Sequence, residues 1–200
     1  AERYVMTDPW NEELIWGYSG TKETIDNGNS YQKHVIPRGM GATTGVIGGI
    51  GTTLPIVKMF FTQNGLPIDK DPDYKMDKIM TIEPGDSTIY LHRDREPRFY
   101  AWLSFDGDEF GQKICDGSPL IVQVRNSLKQ GYNPSKFNRD NCTTGYFLKK
   151  WAAPNLTFRK DGGYNYRSVP TPFIRLSELY LSLAECHAAL GEQQSALDNL

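Results

Sequence analysis

The stretch PTPFIRLSELYLSLAECHAALGEQQSALDNL, residues 170–200, decides how the chain is read. Thr171 and Pro172 open it. Proline is favoured just inside a helix start, where its missing N–H would be unpaired in any case, and threonine is a serviceable cap. Apolar side chains then recur at Phe173, Leu176, Leu179, Tyr180, Leu183, Cys186, Ala189 and Leu190. That is the spacing of one helix face, so the pattern predicts a helix from Thr171 onward. Ala184, Ala188 and Ala189 leave room for a neighbouring helix. Gly191 supplies a left-handed stop, and a second helix follows with Ala196, Leu197 and Leu200 on one side. Helix, glycine turn and helix are the wiring of a tetratricopeptide-type hairpin. One unit shows no period, so the same spacing also describes any other αα-hairpin.

Two hundred residues fit one domain or a piece of a larger one. The second helix has barely begun at Leu200 and Ala1 is not an initiator methionine, so a piece is expected. A lone hairpin of solenoid type also needs neighbours to cover its faces. Lys and Arg number 22 against 24 Asp and Glu, evenly mixed, which lacks the basic stripe of a nucleic-acid binder. No apolar run approaches the ~20 residues of a membrane helix. The chain is rich in rings and turn formers, with Tyr 11, Phe 9, Trp 4, Gly 19 and Pro 12. That balance describes long structured loops carrying exposed ring faces. Cys115, Cys142 and Cys186 are odd in number and far apart; a Cys115–Cys142 bridge is open to them, but free buried thiols are the favoured reading, and no spacing suggests a metal site.

Upstream, Leu14, Trp16 and Tyr18 alternate as a short strand over 12–18. Residues 19–51 have little pattern and many glycines, but no window fits a phosphate loop. They read either as a surface-crossing loop or as a long binding loop. Thr53 and Pro55 start a helix that Asn64-Gly65 ends. Asp69, Asp71 and Asp73 alternate, yet Pro72 intervenes and the EF-hand glycine and distal glutamate are missing, so a solvated acidic turn is expected. Residues 99–105 alternate like a strand. Arg95 and Arg98 lie beside Asp94 and Glu96, an internal clasp rather than an anion site. Short strands are expected around 121–124 and 143–151.

Taken in order, several stretches resemble the SusD/RagB family of surface-exposed, nutrient-binding outer-membrane lipoproteins of gut-type Bacteroidetes. They are Asn11 to Trp16, Thr53 to Phe61 with Asn64 to Ile68, Arg93 to Tyr100, Thr144 to Trp151, and Pro172 to Glu185. The last is the most specific. Glu96, Ser177 and Cys186 depart from the family's usual residues at structural positions. The resemblance spans nearly the whole chain. It implies a mainly α fold, a tetratricopeptide-like helical scaffold with long irregular loops and a few short strands. Residues 1–200 would be a fragment of a single SusD-like domain, with 1–169 a loop-rich ligand face and 170–200 a truncated helical hairpin. The function implied is non-catalytic capture of oligosaccharide at the cell surface and delivery to a SusC-like TonB-dependent transporter. An amino-terminal lipid anchor outside the chain would hold it to the outer membrane, and no cofactor or metal is implied. Peptide-capturing members form the nearest alternative.

The residue chemistry suits that role. A sugar offers an apolar ring face and a hydroxyl rim, which proteins meet with aromatic planes and polar forks. Tyr31, His34, Arg38, Trp102, Tyr164 and Tyr166 are the candidate ligand-binding residues, with those in the 19–51 loop ranked first. A glycosidase would need two carboxylates held roughly 5–10 Å apart, and no acidic pair is singled out by spacing; no catalytic residue is expected.

Overall fold

The computed structural model describes residues 7–8, 10–18, 31–39, 47–114, 117–154 and 171–200, without the side chains of Tyr31, Gln112 and Lys113. Strand β1 (Leu14–Tyr18) forms where alternation predicts it. Its antiparallel partner is β6 (Thr171–Arg175), with Gly17 opposite Pro172 and Tyr18 opposite Thr171. The helix expected from Thr171 therefore starts later, as α4 (Leu176–Ala189). The residue before a proline is held out of the helical region. Thr171, Phe173 and Ile174 also favour extended backbone once a partner strand is present. Phe173 fell at helical spacing, but the pattern could not show β1 at the far end of the chain.

Glu13, just before β1, closes the start of α4. Its carbonyl accepts the Leu176 amide at 2.8 Å, and its carboxylate accepts the Ser177 amide at 3.0 Å. These amides would otherwise lack helical partners. Hydrogen bonding from the Ser177 side chain holds the Glu13 carboxyl below the usual carboxylate range; burial opposes this, while the Ser177 amide and the Arg175 charge add to it. Gly191, at φ 77°, turns the chain into α5 (Gln193–Asp198). The hairpin thus forms as the spacing predicts. Its apolar residues Leu179, Tyr180, Leu183, Leu190 and Leu197 stand exposed, and only Ala184 of α4 is buried. Cys186 is exposed rather than buried, Cys142 is buried and free, and Cys115 lies outside the described residues.

Between these ends the described chain is turn-rich, and helix is modest rather than dominant. It holds α1 (Tyr31–Val35), α2 (Leu54–Met59), α3 (Pro97–Trp102), β2 (Leu103–Ser104), β3 (Glu109–Lys113), β4 (Pro119–Ile121) and β5 (Phe147–Leu148). The strands pair only in twos, β1 with β6, β2 with β5 and β3 with β4. Pro55 sits in the first turn of α2 and Val57 is its buried side chain. That helix ends at Met59; Asn64-Gly65 forms a separate turn with Gly65 at φ 74°.

The expected strand over 99–105 is corrected to α3 followed by β2. Pro97 presets the first helical turn, and Phe99 is fully buried. The alternation was real only from Leu103 onward. Two apolar clusters result. One gathers Val35, Ile36, Phe110, Val122, Cys142 and Phe147, and the other gathers Val57, Phe60, Leu91, Phe99, Leu103 and Phe105. The β2–β5 pair joins them, with Leu148 packing on both.

Arg95 pins the second cluster. It is 3% exposed, and its guanidinium donates to the carbonyls of Val57 (2.8 Å), Phe60 (2.7 Å), Phe61 (3.3 Å) and Leu91 (2.8 Å). It also lies 4.6 Å from the centre of the Phe99 ring. The planar fork thus satisfies carbonyls that α2 leaves open at its end. The clasp expected of Arg95 belongs to Arg98 alone, which reaches Glu96 at 3.0 Å. Asp71 is also not the solvated residue expected. It is buried and accepts from the Thr62 hydroxyl (2.5 Å), the Asn64 amide (3.2 Å) and the Asp73 backbone (3.0 Å). The Thr62 hydroxyl lowers its pKa most, against the effect of burial.

Candidate functional site

His92 is the wall between two depressions. On one side lies a cleft of about 380 Å³, rimmed by Asp86, Asp94, Asp108 and Glu109, with Tyr100 as its exposed ring and Phe105 buried beneath. On the other lies a smaller, more apolar hollow of about 190 Å³ that includes Ile82, Ile89, Val124 and Tyr146. The short 3₁₀ turn Tyr90–His92 buries the imidazole. One ring nitrogen meets the Thr88 hydroxyl at 2.5 Å and the other meets the Tyr146 hydroxyl at 2.9 Å. Phe105 stacks on the ring at 4.1 Å. Burial, with the Arg95 charge second, lowers the His92 pKa to about 3. The ring is therefore neutral at ordinary pH, with both nitrogens engaged.

Three of the four carboxylates around the cleft are also in use. Asp86 pairs with Arg93, Asp108 with Lys149 at 2.6 Å, and Asp94 accepts the Tyr90 hydroxyl at 3.0 Å. Asp94 holds a left-handed backbone at φ 52°, unusual for a residue with a side chain. Such a wall can accept hydrogen bonds from hydroxyls while Tyr100, 38% exposed, offers an aromatic surface. That chemistry suits a polyhydroxylated ligand. Among the described residues, no group of His, Cys, Asp and Glu is arranged to hold a metal ion.

The six sequence-flagged residues fall in different places. Tyr31 opens α1, with its side chain outside the described set, and Tyr164 and Tyr166 lie outside it entirely. His34 is half-buried on α1, and its carbonyl accepts the Ile50 amide at 3.1 Å. Arg38 follows α1 and is spent on structure. Its guanidinium donates to the carbonyls of Lys129 (2.5 Å), Asp140 (2.8 Å), Ser127 (3.1 Å) and Gly131, and to the Asn141 amide oxygen (2.9 Å). Burial lowers its pKa, opposed by the charge of Asp140. Five acceptors latch the 127–141 loop onto α1, leaving little of the fork for a ligand.

Trp102 ends α3 and packs on the second cluster. Its ring lies 4.1 Å from the Lys150 ammonium and 5.4 Å from the Arg98 guanidinium, with the Phe60 ring edge-on at 6.2 Å. The indole N–H is buried without a hydrogen-bond partner, so it is turned away from solvent. The sequence marked the ring but not the cations around it. Arg98 could have been found, four residues before Trp102 on one helix face; Lys150 arrives only through the β2–β5 pairing.

The SusD family model matches residues 12–200. The chain belongs to the SusD family. Among solved structures, the selenomethionine form of BT4246 superposes with a TM-score of 0.80 at 39% identity, over 100% of this chain and 35% of that one. A second BT4246 structure gives 0.79 at 39% identity, over 99% and 34%. A SusD-like protein, BF3747, from Bacteroides fragilis NCTC 9343 gives 0.65 at 22% identity, over 98% and 36%. The last likeness shows the fold alone. The chain spans about a third of the length of these structures. No match was found among curated proteins. Members of the family are in general non-catalytic nutrient binders that work with SusC-like transporters at the cell surface.

Proposed function

We propose that this chain is part of a non-catalytic surface protein that captures oligosaccharide and delivers it to a SusC-like TonB-dependent transporter. The whole protein would sit on the outer membrane through an amino-terminal lipid anchor. The observation that carries this reading is the family match over residues 12–200, joined to 39% identity with BT4246 along the full chain. The geometry supports it: carboxylates held in pairs and a neutral, doubly hydrogen-bonded His92 make a wall that binds hydroxyls without acid–base work.

Residues 1–169 would form the ligand face and 170–200 a truncated helical hairpin of a tetratricopeptide-like scaffold. The exposed apolar side chains of α4 and α5 would be the surface on which further hairpins stack. Tyr31, His34, Tyr164 and Tyr166 would touch ligand. Arg38 would act through the loop it ties down, and Trp102 through the cations it gathers.

Calorimetry of the full-length protein against a panel of neutral oligosaccharides tests the reading. Micromolar to millimolar binding without turnover is expected, weakened by Tyr31→Ala. Hydrolysis of any member of the panel, or tight binding of peptides alone, would overturn it.

A further inference from the structure

The cluster around Trp102 holds more positive charge than its surroundings answer. Arg98 reaches the ring from one turn earlier on α3, and Lys150 from the residue that follows Lys149, whose amide bonds to the Trp102 carbonyl at 2.8 Å. Helix geometry and strand pairing thus place two cations on one indole by construction. Their approach is favourable to the ring, whose face attracts positive charge, but unfavourable to each other.

The acidic groups nearby answer only in part. Glu96 takes one guanidinium nitrogen of Arg98 at 3.0 Å and also accepts the Phe61 amide at 2.9 Å. Arg175 is near enough to lower the pKa of both Glu13 and Lys150. Among the described residues Lys150 has no carboxylate partner. Burial, then Arg175 and Arg98, lowers its own pKa, the mark of a cation held in a positive, partly dry place. Trp151, the next residue in sequence, is exposed.

We propose that Lys150, Arg98 and the rim of Trp102 form a subsite for an anionic substituent on a sugar ring, a carboxylate or a sulfate. This rests on the glycan-capture reading and adds to it a ligand class, acidic glycans. One anionic group would sit between the two cations, take a charge-assisted hydrogen bond from the Lys150 ammonium, and relieve the repulsion between them. Its sugar ring would lie against the neighbouring indole.

The experiment uses the full-length protein and calorimetry at low salt. One arm compares trigalacturonic acid with its methyl ester, which keeps the rings and removes the charge. A second compares a sulfated galactose trisaccharide with its desulfated form. A neutral oligosaccharide panel and a tetraglutamate peptide complete the set. The charged member of one pair is expected to bind roughly 10-fold more tightly than its neutral twin, the scale of one charged hydrogen bond. Added salt should shrink that ratio. Lys150→Met should bring it near one, and Lys150→Arg should restore it. Whichever pair responds identifies carboxylate or sulfate. Equal binding within both pairs, or a preference that survives Lys150→Met, overturns the subsite while leaving glycan capture standing. Binding of the peptide alone also overturns it. Failure of every glycan removes the capture reading and the subsite together.

Discussion

Replacing His92 by Gln should change how this protein responds to acid more than how it behaves at neutral pH. The imidazole is 4% exposed, and burial pulls its pKa from 6.5 to about 3. The folded pKa lies below the unfolded one, so the unfolded chain takes up the proton first as the pH drops. The contribution is therefore intact above the unfolded pKa of 6.5 and is lost progressively as the pH falls toward about 3. The slope approaches about 1.4 kcal/mol per pH unit. Between about pH 7 and about pH 4.5 the loss comes to about 2.5 kcal/mol, a large share of a typical domain's stability. Glutamine does not titrate, and its amide can meet both the Thr88 and Tyr146 hydroxyls that hold the ring. It loses the stacking on Phe105, about 1 kcal/mol. Urea unfolding followed by tryptophan fluorescence, for both proteins across that range, isolates the effect, because carboxylates common to the two cancel in the difference. His92→Gln should start about 1 kcal/mol less stable and gain on the wild type by about 2.5 kcal/mol on acidification. Parallel stability curves would refute the reasoning, since they would mean His92 carries the same proton in both states.

Other outcomes follow from single contacts. Arg95→Met leaves four carbonyls without their donor and should cost about 3 kcal/mol or more, read as a lower urea midpoint at unchanged slope. Glu13→Ala removes the carboxylate at the start of α4 and should cost about 1 kcal/mol, with faster amide exchange confined to the first turn of that helix. Gly49→Ala would set a methyl group 1.7 Å from the Arg139 carbonyl, so the chain there must shift. A loss of about 2 kcal/mol is expected, with the Arg38 latch loosened, seen as faster proteolysis within 127–141. Arg38→Lys keeps the charge but not the fork; it should open the same loop while leaving the second apolar cluster intact by hydrogen exchange.

The residues themselves settled a good part of this protein. Apolar spacing over 176–190 with Gly191 specified the hairpin, since a 3.6-residue period and a left-handed stop are properties of the local chain. Alternation at Leu14, Trp16 and Tyr18 specified β1, and ordered motifs along the chain pointed to the family that the comparisons show. Tertiary structure decided what needed a distant partner. Residues 171–175 became strand because β1 lay alongside, and α3 replaced a strand because Pro97 and the buried Phe99 outweighed an apparent alternation. The cap on α4 comes from Glu13, and the cations on Trp102 come partly from Lys150, each brought in by pairing between strands far apart in sequence. Asp71 and Arg38 look like solvent-facing polar residues until the backbone groups they satisfy are in view. A side chain's spacing is written locally, whereas its partner is set by which segments pack together, and only folding brings those segments into contact.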